Sequence, residues 1–212
     1  MDSRARHLLL SLFSPAYPVG SFAYSHGLES AIADGAVTCA DDLTDWLADV
    51  LRHGTGRTDA ILLARAAREP ETAAEVSALA EALAPSLERH TETMAQGAAF
   101  ARVTAAVHGT DPGPLAFPAA VGAASAALDL PLGDTVAAYL HAFAANLVSA
   151  AVRLVPLGQT DGQAVLAALF PIIDTAAADA LQADPDDLGG FAPGADLAAM
   201  HHETKTVRLF RT

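Results

Sequence analysis

Proline cuts this sequence into pieces of helical length. Pro70, Pro85, Pro131, Pro156 and Pro171 punctuate a 212-residue chain dominated by alanine and poor in β-branched residues. Alanine is the best helix former. Proline removes a main-chain donor and clashes with the preceding turn. The chain therefore reads as an all-α, single-domain bundle of about eight to ten helices. The clearest helix covers 39–53, where Leu43, Trp46, Leu47, Val50 and Leu51 recur at i, i+3, i+4, i+7 and i+8. Thr38 and Asp41 ahead of it have capping-box spacing. Further helices are predicted over 58–69, 71–84, 86–107, 115–128 and 134–155. The turn-rich stretch 108–114 separates the 86–107 segment from the 115–128 one. Arg153 falls in the last turn of the 134–155 helix, where the dipole favours a cation. Thr160 and Gln163 give capping-box spacing for the next helix, which must kink or break near Pro171.

The two ends have a different character. Leu8–Phe13, behind Arg4 and Arg6, is too short an apolar run for a secretion signal and reads as a short buried helix. Val136–Val155 nearly suffices to span a bilayer. It carries His141, Asn146, Ser149 and Arg153, and the expectation is the central helix of a soluble bundle. Residues 184–196, rich in Asp, Pro and Gly, form a linker by composition. The organisation expected is a helical domain over 1–183, the acidic linker 184–196, and a tail over 197–212. The tail reverses the sign of charge, with Lys205, Arg208 and Arg211 against Glu203.

Charge and missing motifs exclude several functions. The formal net charge is −13 and Lys205 is the only lysine. Such a chain lacks the basic face of a nucleic-acid binder and is repelled by anionic membranes. The single cysteine, Cys39, excludes an internal disulfide framework and a Cys-rich zinc site, and fits a cytoplasmic protein. A P-loop needs lysine after glycine, whereas Lys205 follows Thr204. Ala23-Tyr24-Ser25-His26-Gly27 approximates a nucleophile elbow, but that motif needs a strand entering a sharp turn. Pro15 and Pro18 argue against a central strand, and Ser25 reads as a helix cap. Among eight histidines no His-x-x-x-His pair occurs. Asp49 and His53 lie one turn apart. His201-His202-Glu203 is the densest cluster, yet adjacent side chains on a helix do not face one another. Asn146 and Ser149 sit in an apolar helix, where an unpartnered polar group costs about 1–3 kcal/mol. They are expected to be paired, fixing helix register or lining an internal polar path.

Three segments, in order and in register, resemble the UreF family of urease accessory proteins. They are Ser14-Pro15-Ala16-Tyr17-Pro18-Val19-Gly20-Ser21-Phe22-Ala23-Tyr24-Ser25-His26-Gly27-Leu28-Glu29, the stretch from Asn146 to Gln163, and the ending from Met200 to Thr212. Weaker echoes lie at Glu92-Thr93 with Gln96-Gly97 and at Phe117-Pro118 with Gly122. The family often has Gly at Ser21, Gln at His26, an aromatic at Val207 and a basic residue at His201. No metal role is carried over to His26 or His201.

The resemblance implies an all-helical homodimer that is not an enzyme. It implies binding to UreD (also called UreH) and the GTPase UreG on apo-urease during nickel insertion. No cofactor of its own is implied, and nickel would pass through the assembled complex. The partner-binding candidates are Tyr17, Phe22, Tyr24, Glu29, His202, Glu203, Arg208, Leu209, Phe210 and Arg211. A structural role or an internal polar path is expected of Pro18, Gly20, Ser25, Gly27, Asn146, Ser149, Arg153, Gln159 and Gln163. Physical chemistry agrees, since aromatics and arginines supply many binding hot spots and a tail behind a flexible linker suits folding on a partner. Three alternatives stay open: both segments pack on their own domain, the chain carries nickel itself, or it is a hydrolase using Ser25.

Overall fold

The computed structural model describes residues 2–212. It contains eleven α-helices among those residues: α1 Ser3–Leu12, α2 Leu28–Ala33, α3 Ala40–His53, α4 Thr55–Arg68, α5 Ala73–Ala82, α6 Leu87–His108, α7 Phe117–Ala127, α8 Leu132–Leu154, α9 Gln159–Ala168, α10 Phe170–Gln182 and α11 Pro193–His202. No strand occurs among the described residues, so the all-α expectation holds. Helices α9 and α10 are two halves of one rod, bent by 41°. The bend falls where Pro171 forbids continuation of the ladder, as predicted.

Helix α4 runs through the middle. Leu62, Leu63, Ala64 and Ala66 on it are all but inaccessible, and it packs against α3, α7, α8 and α10. Its contact with α7 is close because Gly122 lies on the Leu63 carbonyl, where a methyl group would collide with main chain. The main core joins Leu43, Leu47 and Leu51 of α3 to Leu140 and Leu147 of α8 and to Leu169. This is the apolar stripe read from the sequence; Trp46, at its edge, is half-buried. A smaller cluster of Leu62, Val76, Ala116 and Ala119 sits beneath α5.

Two caps differ from the sequence reading. The carboxylate of the first turn of α3 that reaches back is Asp42, whose Oδ2 accepts from the Thr38 amide at 2.9 Å and the Thr38 hydroxyl at 2.7 Å. Asp41 is exposed. At α9 the N-cap is Gly158, whose amide donates to Asp161 Oδ2 at 3.0 Å. Thr160 and Gln163 are therefore not its box. Gly158 has no side chain to reach the first free amides, so only the acidic half of the motif forms.

Helix α8 is long and apolar enough to cross a membrane, and half of its apolar window is buried in the bundle. The rest opens on a groove of about 860 Å³ between α1, the 13–22 segment, α8 and α10. Leu10 and Phe170 stand exposed at its rim.

Candidate partner-binding site

The N-terminal motif folds as a rigid turn. The Tyr17 hydroxyl shares a hydrogen bond with Thr104 at 2.8 Å, and its ring packs on Phe100. Gly20, at φ 79°, caps a single 3-10 turn over Ser21–Ala23. This turn leaves Phe22 70 % exposed while Tyr24 goes inside. Pro18 lies exposed at the approach to the turn. Gly27, at φ 74°, presses against the main chain of Ala198 and Ala199 in α11. That conformation and that proximity both require glycine, and they bring α2 beside α11.

The tail is strung across α2 and α6. Glu29 on α2 accepts from the amides of Leu209 and Phe210, both at 2.9 Å, and pairs with His202 Nε2 at 3.2 Å. Burial alone would raise the Glu29 carboxyl. The two tail amides, with His202 behind them, outweigh it and hold the group below its ordinary range. His202 has no exposed surface, and its Nδ1 meets Glu88 at 2.7 Å. Arg208 pairs with the other oxygen of Glu88. Glu203 reaches back to the start of α6, accepting from the Leu87 amide at 2.7 Å. A carboxylate there complements the positive end of the helix dipole.

Beyond Arg208 the tail and the N-terminal motif become one piece. The Arg211 amide donates to the Ala23 carbonyl at 2.8 Å, and the Ser25 amide to the Thr212 carbonyl at 3.0 Å. The Ser25 hydroxyl also donates to Thr212 and accepts from the Glu29 amide at 3.3 Å. Phe210 is buried, with the Arg153 guanidinium 4.4 Å from its ring centroid. Arg153 donates onward to the Phe22 carbonyl, and Asn146 to the Tyr24 carbonyl. Phe22, Val207 and Leu209 are left facing outward, with Arg208 and Arg211 exposed among them.

Behind this surface lies a polar floor that the groove reaches. Arg89 of α6 pairs with Glu92, and its Nη1 lies 3.0 Å from His26 Nε2. Glu92 Oε1 is 2.9 Å from the same nitrogen and accepts from Gln96 at 2.8 Å. Burial opposes the charge on Glu92, but Arg89 and His26 hold its carboxyl down at about 2. Burial, with Arg89 beside it, keeps the His26 imidazole low. Asp59 of α4 accepts from the Tyr139 hydroxyl at 2.8 Å, and burial pushes its carboxyl up to about 6.

The structure thus gathers most of the candidate residues into one assembly of motif, tail and supports. Tyr17, Tyr24, Glu29, His202 and Phe210 hold it from beneath; Phe22, Leu209, Arg208 and Arg211 present it. Gln159 and Gln163 lie on the exposed face of α9, and Ser149, exposed on α8, lines the groove beside Asn146. The interior polar residues are instead His26, Asp59, Arg89, Glu92, Gln96 and Tyr139. Their signal was present at Arg89, Glu92 and Gln96, spaced i, i+3 and i+7 on one face of α6. Asp49 and His53 are exposed on α3, and His201 points outward while His202 points in. Among the described residues no three His, Cys, Asp or Glu side chains converge as metal ligands do. Ser25 is fully buried, with its hydroxyl committed to Thr212 and no hydrogen bond to a histidine. The tail, read as a segment that orders on a partner, is seated on its own body here.

Comparison with known proteins bears on the whole arrangement. The family model for UreF matches residues 37–170. A protein of Cereibacter sphaeroides named urease accessory protein UreF is 57% identical over 206 residues, covering 96% of this chain and 97% of that one. Its namesake in Roseobacter denitrificans is 52% identical over 213 residues, covering 100% and 96%. That of Paracoccus denitrificans is 50% identical over 208 residues, covering 98% and 96%. The two segments that build the site lie outside the family-model match but within the reach of these full-length likenesses. The chain belongs to the UreF family of urease accessory proteins.

Proposed function

We propose that this chain is a non-catalytic, cytoplasmic scaffold of urease maturation, bridging UreD/UreH and the GTPase UreG on apo-urease while nickel is inserted. The observation that carries this reading is the fused surface of motif and tail. Phe22, Val207 and Leu209 are 70 to 87 % exposed on it, flanked by Arg208 and Arg211. Apolar groups and arginines on a pre-ordered frame are the composition of a binding hot spot. The half-covered face of α8, with Leu10 and Phe170 at the groove rim, supports a homodimer formed there.

The test is capture by tagged UreD/UreH. The intact chain is expected to bind, and to retain UreG only once that pair has formed. A chain ending at Thr206 is expected to keep its helical content and lose capture. Undiminished capture by the truncated chain would overturn the placement of the interface. Full urease activation in cells lacking this chain would overturn the role itself.

A further inference from the structure

The tail seat and the groove share a buried carboxylate, Glu92. Glu92 turns Oε1 toward Gln96 and His26, and turns Oε2 toward Arg89 and the Thr212 hydroxyl, which donates at 3.1 Å. His26, Arg89, Glu92 and Gln96 all line the groove. Thr212 lies on the opposite side of Glu92 and is itself buried. A second connection runs through the main chain, since the His26 amide lies 3.3 Å from the Thr212 hydroxyl. The His26 ring stands edge-on to Phe143, another groove residue, with centroids 4.6 Å apart. A displaced Thr212 leaves Glu92 Oε2 with Arg89 alone and takes the hydroxyl acceptor from the His26 amide, and buried polar groups do not stay unpaired.

We propose that the tail seat and the groove are one coupled site, in which lifting residues 207–212 rearranges Glu92 and His26 at the groove floor and a change at the floor loosens the tail. Coupling between two sites is reciprocal by thermodynamic necessity. The polar floor therefore senses whether the tail is engaged, and a protein that draws the tail away alters the groove at Glu92 and His26. This inference rests on the scaffold reading only for what lifts the tail. The coupling belongs to the isolated chain.

The experiment follows the His26 ring by NMR through a pH titration, with hydrogen exchange at the Leu209 and Phe210 amides reporting the state of the tail. The charged groups facing His26 are Arg89 and Glu92 of α6; α8 presents Phe143 and the tail presents Thr212. Three chains are compared: the intact protein, Phe210→Ala, and a chain ending at Thr206, each checked for unchanged helical content. Release of the tail is expected to speed exchange at the amides of residues 209 and 210 by about tenfold or more in Phe210→Ala. In both tail variants His26 is expected to titrate at least about half a unit higher, because water reaching Glu92 relieves the burial that keeps the ring neutral. In the other direction, Gln96→Leu alters the floor from the groove side and is expected to speed exchange at the two tail amides by about threefold or more. A His26 titration superimposable on that of the intact protein after the tail is removed would overturn the proposal. So would tail exchange untouched by Gln96→Leu. No partner enters the measurement, so failed capture of UreD/UreH leaves the coupling standing, and a flat His26 response leaves the scaffold reading standing.

Discussion

Arg153, in the last turn of α8, lies over the ring of Phe210, with its guanidinium carbon 4.4 Å from the centroid. The same side chain donates to the Phe22 carbonyl at 3.1 Å, so one residue fastens the tail to the N-terminal turn. Phe210→Ala removes the buried ring and the cation–π contact together. Burying a phenylalanine contributes roughly 1.5–3 kcal/mol, and the stacked cation adds about 0.5–1 kcal/mol. The tail is expected to undock in this variant with circular dichroism unchanged. Hydrogen exchange at residues 209–212 checks it.

Acid is expected to release the tail through Glu29. Its carboxyl is held below the ordinary 4.5 in the folded chain. A depressed carboxyl contributes stability that is fully present above its unfolded value and is lost as pH falls through the folded one. Docking of the tail should therefore persist at neutral pH and fade below about pH 4.5, as read by amide exchange at Leu209 and Phe210. Glu29→Gln is expected to lower docking at neutral pH and to remove this acid edge.

Asp59 has the opposite sign. Burial lifts its carboxyl from 3.8 to about 6, so the folded chain binds the proton more tightly than the unfolded one. Its contribution is present below the unfolded value and is lost as pH rises through about 6. The difference in unfolding free energy between the native chain and Asp59→Asn is expected to move in favour of the variant by about 3 kcal/mol between pH 3.5 and 7.5. Urea denaturation at the two pH values measures it.

Gly27 and Gly20 both have positive φ, but their surroundings differ. A methyl group at Gly27 meets the main chain of α11, while one at Gly20 meets nothing within 4 Å. Gly20→Ala is expected to cost about 1–2 kcal/mol for its backbone conformation alone. Gly27→Ala carries that cost and also pushes α11 away from α2, taking His202 out of its carboxylate pair. Thermal unfolding midpoints should rank the two variants, Gly27→Ala lower.

How far the sequence went can be traced residue by residue. Alanine content and the five prolines were enough for the helices, because both act through local backbone energetics. Pro171 is the clearest case: the break it forces is where the rod bends. The caps were only half legible, since Asp41 and Asp42 differ by one position and geometry alone decides which carboxylate swings over the free amide. The tail motif was legible through family likeness, yet its seating was not. Glu29 and Phe210 are 181 residues apart, and no periodicity reports a carboxylate reaching across that span to two amides. The polar floor was hidden for the same reason. Arg89, Glu92 and Gln96 share a helix face, but their pairing with His26, and the buried Asp59–Tyr139 bond beside them, exist only after α4, α6 and α8 have come together.

Residues 208–212 hold to the body through one buried ring, one buried threonine and a few main-chain and carboxylate contacts. Such an anchorage opens far more often than the bundle unfolds, and each opening exposes a loose stretch of main chain. A protease that cuts after arginine will therefore nick the lone protein at Arg208 and Arg211, both exposed, while the helices stay intact.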